Sequence, residues 1–236
     1  MIRIFRSSLV ILAMFFATAV PMLAGDGPTT PAVKDAHRHT SFLADITKMH
    51  GDIDLVFVGD SITDAWREGE AKTKWDAHFA PLKALNLGIS GDRTQHVLWR
   101  LQNGELMGYK AKLFVIMIGT NNGGDSAESV AEGVKAIITE IQTKQAQAKI
   151  LLLGIFPRGE KENRHRSKNE QTNAIIAKYD DGKAVRYLDI GLKFLAEDKL
   201  TLPKDIMPDA LHPNAKGYEI WANAIIAPVK EMLGAK

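Results

Sequence analysis

The chain has no cysteine among its 236 residues. It therefore forms no disulfide, no thiolate metal site and no lipid-modified N-terminal cysteine, and it has no cysteine nucleophile. It also lacks an excess of charge of one sign, since 30 basic side chains stand against 28 acidic ones. A nucleic-acid binder usually carries a strong basic excess, so we expect no nucleic-acid partner. Apolar residues are plentiful at 45%, which excludes disorder and predicts one globular domain.

The N-terminus has the pattern of a secretory signal peptide. Arg3 and Arg6 precede an apolar run, and small residues follow it. We predict a signal peptide over residues 1–24, cleaved after Ala24, with a second possible cleavage site at 17–19. The protein would then be exported to the periplasm or the medium, without stable membrane insertion after cleavage. The alternative is an uncleaved membrane anchor, although the run is shorter than the ~20 residues that a spanning helix needs.

The mature chain is predicted to be formally neutral. The basic excess of the full sequence consists of the two arginines in the predicted signal peptide. The sequence pI of about 8.7 therefore implies no anionic partner for the mature protein. Residues 25–34 contain proline and glycine and are predicted to be a linker. Residues 35–236 are predicted to form the single domain.

Five short apolar runs in that domain predict a parallel sheet. Each run is almost continuously apolar, which indicates a strand buried on both faces by helices. The runs are 55–58, 84–87, 113–118, 150–153 and 185–188. Longer segments with helical spacing lie between them, and this alternation predicts a doubly wound α/β fold.

Two helices have recognisable signals. A capping-box pattern at Asp125 precedes apolar residues from Val130 to Ile141 at helical spacing. Pro213 is suited to begin the last helix, and Pro228 is expected to kink or break it.

The loop after the first strand carries a serine on a tight strand-to-helix turn, over residues 59–63. Such a turn exposes the Ser61 hydroxyl beside a helix start, as in a nucleophile elbow, although the sequence is not G-x-S-x-G. The alternative is a serine that only caps the helix.

A base and its partner are predicted near the C-terminus. A serine needs a base to take its proton, and His212 has a suitable pKa near neutral pH. Asp209, three residues earlier, would orient that imidazole. The alternative is a surface histidine beside an aspartate that caps the last helix.

Acyl transfer also needs donors to the oxyanion. Gly88, after the second strand, would allow close approach of a backbone N–H, and Asn121, after the third strand, would add a side-chain amide. The alternatives are a turn glycine and an Asx turn.

These residues together resemble the blocks of a known family. The blocks are Gly59-Asp60-Ser61-Ile62, Gly88, Gly119-Thr120-Asn121 and Asp209-x-x-His212. They resemble the SGNH (GDSL-type) esterases. Within that family the chain is most similar to the catalytic subunits of the intracellular platelet-activating factor acetylhydrolase, over about residues 36–234. Longer matching stretches include 57–61, 85–92, 96–106, 119–122 and 157–160.

The resemblance implies a flavodoxin-like, three-layer α/β/α sandwich with five parallel strands. It implies Ser61 as nucleophile, His212 as base and Asp209 as its partner. The oxyanion hole would consist of the N–H groups of Ser61 and Gly88 with the Asn121 side chain. No metal or organic cofactor is implied, and a homodimer is expected because the acetylhydrolase subunits pair.

We therefore predict a secreted serine esterase that removes short acyl groups, in particular acetyl, from a small-molecule ester such as an acetylated carbohydrate or a phospholipid. One alternative is a catalytically inactive ligand-binding module on the same fold. Another is a nucleotide or flavin binder, but the single glycine and the acidic residue of 59–63 suit phosphate poorly. The charged run 158–166 is expected to be a solvated loop entering a helix, with an anion site as its alternative.

Overall fold

The computed structural model describes residues 27–234, so the predicted signal peptide lies outside the described residues. Five strands alternate with helices along this part of the chain. The strands are β1 (Leu55–Gly59), β2 (Ala84–Gly88), β3 (Leu113–Met117), β4 (Lys149–Leu153) and β5 (Val185–Leu188). The helices are α1 (Ala36–Lys48), α2 (Ser61–Asp64), α3 (Gly69–His78), α4 (Thr94–Arg100), α5 (Ala127–Lys144), α6 (Arg164–Ile176) and α7 (Ala215–Leu233). Short 3-10 turns occur at Ala65–Arg67, Ala80–Leu82, Ala177–Tyr179 and Gly191–Phe194, and a π turn, Leu101–Glu105, follows α4.

The strands form one parallel sheet in the order β2-β1-β3-β4-β5. This confirms the α/β fold with five parallel strands, and each strand lies within one residue of its predicted apolar run. In the register, Gly59 pairs with Gly88 on one side and with Met117 on the other. The loops that leave β1, β2 and β3 therefore begin side by side, at the edge where such sheets bind ligands.

Both faces of the sheet are covered. Along β1, Val56 and Val58 point to the core beneath α1, α4, α5 and α6, whereas Leu55 and Phe57 point to the core beneath α3 and α7. All four side chains are fully buried. Burial of each such side chain stabilises the fold by roughly 1.5–3 kcal/mol before the entropy cost. The continuous apolar runs are thus explained by two cores, one on each side of the sheet.

The helix starts differ in detail from the prediction. The N-cap of α5 is Ser126, whose hydroxyl accepts a hydrogen bond from the N–H of Ser129. Asp125 does not cap the helix, because its carboxylate accepts from the side-chain amide of Asn122, 3.0 Å away. The cap of α7 is Asn214, one residue after Pro213.

Helix α7 continues through Pro228 to Leu233, so the expected break does not occur. Proline removes one helical hydrogen bond. The fully buried residues Ile225 and Val229 on either side of it hold the helix against the sheet, which compensates for that loss.

The described part of the predicted linker lies against the domain. The Thr94 hydroxyl donates to the carbonyl of Pro28 at 2.9 Å, and the N–H of Ala32 donates to the carbonyl of Gln95 at 3.1 Å. Residues 27–34 are therefore held on the start of α4. Within residues 27–234 no helix combines the length and the apolar character needed to cross a membrane.

Candidate active site

The turn from β1 into α2 presents Ser61 at the edge of the sheet. Asp60 caps α2, because its carboxylate accepts a hydrogen bond from the N–H of Ile62 at 3.0 Å. A Cβ at Gly59 would lie only 2.1 Å from the hydroxyl of Thr63, so the tight turn requires glycine there. The N–H of Ser61 is the first of the helix and has no acceptor within it. It is therefore available to a ligand.

A serine, a histidine and an aspartate lie in hydrogen-bonded sequence. The Oγ of Ser61 is 2.9 Å from Nε2 of His212, and Nδ1 of His212 is 2.6 Å from Oδ2 of Asp209. The distances allow the serine proton to pass to the imidazole while the carboxylate holds the other ring nitrogen. The three side chains predicted from sequence are thus brought together, although Ser61 and His212 are 151 positions apart.

The loop before α7 fixes the aspartate and the histidine together. The other oxygen of Asp209 accepts from the N–H groups of Leu211 and His212, at 3.0 and 2.7 Å. Ala210 between them takes a left-handed conformation with φ of 57°. Partial burial raises the pKa of Asp209, but the hydrogen bonds from His212 and Leu211 outweigh it, so the pKa lies below its ordinary value. Asp209 is therefore held as a carboxylate.

Asp60 has the opposite electrostatic character. It is fully buried, and its Oδ2 has no hydrogen-bond partner in the described part of the chain. Burial raises the pKa of Asp60 to about 7, with a further upward contribution from Asp92, although Ile62 and His212 act against it. A carboxyl that can stay protonated at neutral pH thus lies directly before Ser61. From its place before Ser61, Asp60 is expected to cap the turn without a direct chemical role, and the hydrogen bond from Ile62 agrees with that cap.

The N–H of Gly88, predicted to be an oxyanion donor, is already occupied. It donates to the side-chain oxygen of Asn86 at 2.8 Å. Packing explains why this position is a glycine, because a Cβ at Gly88 would lie 2.3 Å from the backbone nitrogen of Asp64 in α2. This geometry argues against Gly88 as an oxyanion donor and explains it as a packing glycine.

Gly91, in the same loop, offers a free donor. No hydrogen bond of its N–H is found with any described residue, whereas those of Ile89, Ser90 and Asp92 all have acceptors. Gly91 has φ of +76°, which favours glycine. The sequence shows glycines at both 88 and 91, and only the geometry of the loop distinguishes them.

Asn121 is positioned beside that loop. One N–H of its side-chain amide donates to the carbonyl of Asp92 at 3.0 Å, which leaves the other N–H for a ligand. The loops after β2 and β3 are thereby joined, and the predicted donor Asn121 is bonded to the residue that follows Gly91.

A buried ionic network lies behind these donors. The Arg100 guanidinium donates to Asp92 at 2.9 Å, to Glu105 at 2.5 Å and to the carbonyl of Gly59 at 3.3 Å. Glu105 also bonds the ring of His39 at 2.9 Å. Arg100 therefore connects the end of β1 with the residue whose carbonyl orients the Asn121 amide. This role could not be predicted from the sequence, because a single arginine in a helical segment is typical of a surface residue.

No cluster of three or more potential metal ligands occurs among residues 27–234. His39, two positions after His37, is buried and bonded to Glu105.

Comparisons with known proteins identify the family. The model of the GDSL-like lipase/acylhydrolase family matches residues 57–220. Platelet-activating factor acetylhydrolase IB subunit alpha2 of Rattus norvegicus is 41% identical over 197 residues, which cover 83% of this chain and 82% of the relative.

Two solved structures share the fold at low identity. A GDSL-like lipase from Bacteroides thetaiotaomicron aligns with a TM-score of 0.64 at 17% identity, over 82% of this chain and 97% of its own. A carbohydrate acetylesterase from Sinorhizobium meliloti aligns with a TM-score of 0.60 at 16% identity, over 76% of this chain and 99% of its own. Taken with the family match, these findings show that the chain belongs to the GDSL-like lipase/acylhydrolase family and is a carboxylic ester hydrolase.

Proposed function

We propose that the protein hydrolyses short-chain esters, in particular acetyl esters, by an acyl-enzyme mechanism that uses Ser61, His212 and Asp209. The observation that carries this proposal is the hydrogen-bonded sequence from Ser61 Oγ through both ring nitrogens of His212 to Asp209. The first step is attack of the Ser61 oxygen on the ester carbonyl while Nε2 of His212 takes the hydroxyl proton.

The tetrahedral intermediate then collapses with departure of the alcohol. His212 returns the proton to the leaving oxygen, and the acyl group remains on Ser61. A water molecule, deprotonated by the same histidine, attacks the acyl-enzyme, releases the acid and restores the serine. Throughout, Asp209 stabilises the imidazolium and keeps the ring in one orientation.

The negative oxygen of the intermediate requires donors. We assign this role to the N–H groups of Ser61 and Gly91 and to the side-chain amide of Asn121. Gly91 takes the place that the sequence analysis gave to Gly88, because the Gly88 N–H is bonded to Asn86. The Asp92 carbonyl aligns the Asn121 amide before substrate binds, so no reorganisation is needed as charge develops.

We favour acetyl as the acyl group because the activities named for two similar proteins remove acetyl groups. The curated relative is described as an acetylhydrolase, and the Sinorhizobium protein as a carbohydrate acetylesterase. Their names support a small acyl group, and they leave acetylated carbohydrate and phospholipid as the two candidate classes of small-molecule substrate.

Rates on acetyl, butyryl and octanoyl esters of one phenol, with an acetylated polysaccharide beside them, test this proposal. We expect the acetyl ester to be hydrolysed fastest and Ser61→Ala to abolish hydrolysis of all of them. A fluorophosphonate probe should label wild type at Ser61 and leave Ser61→Ala unlabelled. Faster hydrolysis of the octanoyl ester would overturn the acetyl preference, and an unlabelled wild type would favour an inactive binding module.

Export and dimer formation are also part of the proposal. The N-terminal sequence of the protein recovered from the cell envelope or medium should begin at Gly25, and its absence from both fractions would contradict export. Light scattering of the mature protein should give twice the mass of one chain, as expected from the pairing of the acetylhydrolase subunits.

A further inference from the structure

The segment from the end of β4 into α6 carries six basic side chains within eleven positions. They are Arg158, Lys161, Arg164, His165, Arg166 and Lys168. No carboxylate of any described residue forms an ion pair with them, although such pairs are common elsewhere in residues 27–234. The segment also contains Glu160 and Glu162, so its basic side chains outnumber its acidic ones and it keeps a net positive charge.

Their hydrogen bonds go to backbone carbonyls instead. Arg158 donates to the carbonyl of Thr120 at 2.8 Å, and the ammonium of Lys168 donates to the carbonyl of Asn122. Arg166 is buried, and its guanidinium donates to three carbonyls, one of them that of Arg158 at 3.2 Å. A carbonyl orients a cation but does not cancel its charge, so the group as a whole stays positive.

The basic side chains converge on the loop that carries Asn121. A Cβ at Gly123 would lie 3.6 Å from the ring of His165, so that ring packs beside the same loop. On the other side, the N–H of Gly159 donates to the carbonyl of Ala210 at 2.7 Å, within the loop that holds the catalytic histidine. The segment thus borders the proposed site from both the donor side and the base side.

The pKa of His165 reflects this convergence. Partial burial and then the charges of Arg158, Arg164 and Lys168 lower the pKa of that imidazole. Three cations from different turns therefore act on one point at the rim.

Four acidic residues are near, namely Asp125, Glu160, Glu162 and Glu170, and none of them forms an ion pair with the basic side chains. Burial lowers the pKa of Lys168, and the charge of Asp125 acts against that shift. Asp125 forms no ion pair with the ammonium, and one of its oxygens accepts from Asn122 at 3.0 Å. Glu162 accepts from the hydroxyl of Ser167 at 2.5 Å.

We propose that Arg158, Arg164, His165 and Lys168, here called the basic rim, bind an anionic group on the ester substrate. The inference rests on the proposed esterase function and narrows its substrate class to esters whose alcohol portion carries a phosphate or a carboxylate. A cleft bordered by one sign of charge raises the local concentration of oppositely charged ligands and orients them. The charged run that the sequence predicts as a solvated loop is then a substrate-binding feature.

Three acetyl esters of related phenols test the proposal: the neutral para-nitrophenyl acetate, its ring-carboxylate derivative and acetoxyphenyl phosphate. The measured quantity is the ratio of kcat/KM on an anionic ester to kcat/KM on the neutral one. The variant Arg164→Gln/Lys168→Gln removes two charges, and Arg164→Lys/Lys168→Arg keeps them. Comparing each variant with wild type removes the intrinsic reactivity of the esters.

For Arg164→Gln/Lys168→Gln we expect the ratio to fall roughly tenfold, since two partly exposed charges that attract the anion are lost. The charge-retaining variant should keep the ratio within about twofold of wild type. Added salt should lower the wild-type ratio because exposed charges are screened. The phosphate and carboxylate esters distinguish the two kinds of anion, since the larger fall identifies the one that the rim binds.

Lys230→Gln is the matched control. Lys230 is exposed near the C-terminal end of α7, and its neighbours Glu231 and Met232 lie beside Lys149, where β4 begins. It should leave the ratio unchanged. An equal loss on neutral and anionic esters, no loss on either, or the same fall in Lys230→Gln would overturn the basic rim. Activity that persists in Ser61→Ala would instead overturn the proposed function itself.

Discussion

The two sides of Ser61 are built differently. On the side of the base, the side chains of His212 and Asp209 are 41% and 55% exposed and lie on one short loop. On the side of the oxyanion donors, Arg100 and the two carboxylates that it bonds are at most 3% exposed. Proton exchange with water needs access, whereas donors that stabilise charge need a fixed position in a dry environment. The comparison therefore separates residues whose loss reduces chemistry from residues whose loss reduces stability.

The largest expected effect is on the exposed side of that comparison. Ser61→Ala removes the nucleophile, and we expect kcat to fall by roughly four to six orders of magnitude, with the melting temperature nearly unchanged. Steady-state rates on an acetyl ester and a thermal scan measure both. Ser90→Ala, in the neighbouring loop, is the matched control and should keep nearly full activity. A comparable loss in that control would contradict the assignment.

On the buried side, Arg100→Met should act mainly on stability. It leaves Asp92 and Glu105 buried without their partner, and breaking a buried pair costs roughly 3–5 kcal/mol. Urea unfolding measures the free energy of unfolding. The contrasting change is Asp209→Asn, where an exposed pair contributes less than about 1 kcal/mol to stability but its loss should lower kcat by roughly four orders of magnitude. Equal destabilisation by the two variants would remove the distinction between the sides.

Asp60 lies between the two sides and makes the stability of the fold depend on pH. The folded state holds its proton up to about pH 7, whereas the unfolded state loses it near 3.8. The protonated Asp60 therefore makes its full contribution to the free energy of unfolding below pH 3.8. That contribution, on the order of 4 kcal/mol, is lost as the pH rises to 7. Asp60→Asn does not titrate, so its stability relative to wild type should increase between pH 4 and 7. Parallel stability curves for the two proteins would show that Asp60 is ionised in the fold.

Asn121→Ala should reduce the transition-state stabilisation supplied from the buried side. Loss of one oxyanion donor costs about 3 kcal/mol, or two to three orders of magnitude in kcat, with KM little changed. Rates over a range of substrate concentration separate the two constants. A rise in KM with unchanged kcat would instead identify Asn121 as a residue that binds ground-state substrate.

The sequence predicted the strands well, and it predicted that Asp209 and His212 lie together, for physical reasons. A strand buried on both faces must be apolar at every position. The apolar runs of β1 and β3 therefore predict these strands without any knowledge of the residues that pack against them. The Asp209–His212 pair is local, and its spacing already determines that both lie on one loop.

The buried side was not accessible in the same way. Gly88 and Gly91 cannot be distinguished by sequence. They differ in the structure because the N–H of Gly88 donates to Asn86, whereas no acceptor for the N–H of Gly91 is found among the described residues. Arg100 forms hydrogen bonds with Asp92 and Gly59, which lie 8 and 41 positions before it. A periodic sequence pattern does not predict contacts over such separations. Pro228 was expected to kink or break α7 because proline removes a helical hydrogen bond, whereas the packing that lets the helix continue comes from the rest of the fold.

The distance along the chain between Ser61 and His212 makes activity a property of the finished polypeptide. Helix α7 is also tied to the catalytic turn, because the Tyr218 hydroxyl donates to the carbonyl of Ile62 at 2.7 Å. On the proposed mechanism, a nascent or truncated chain that ends before residue 209 would carry Ser61 without His212 and could not cleave esters. Hydrolysis would then begin only after synthesis has delivered the last helix.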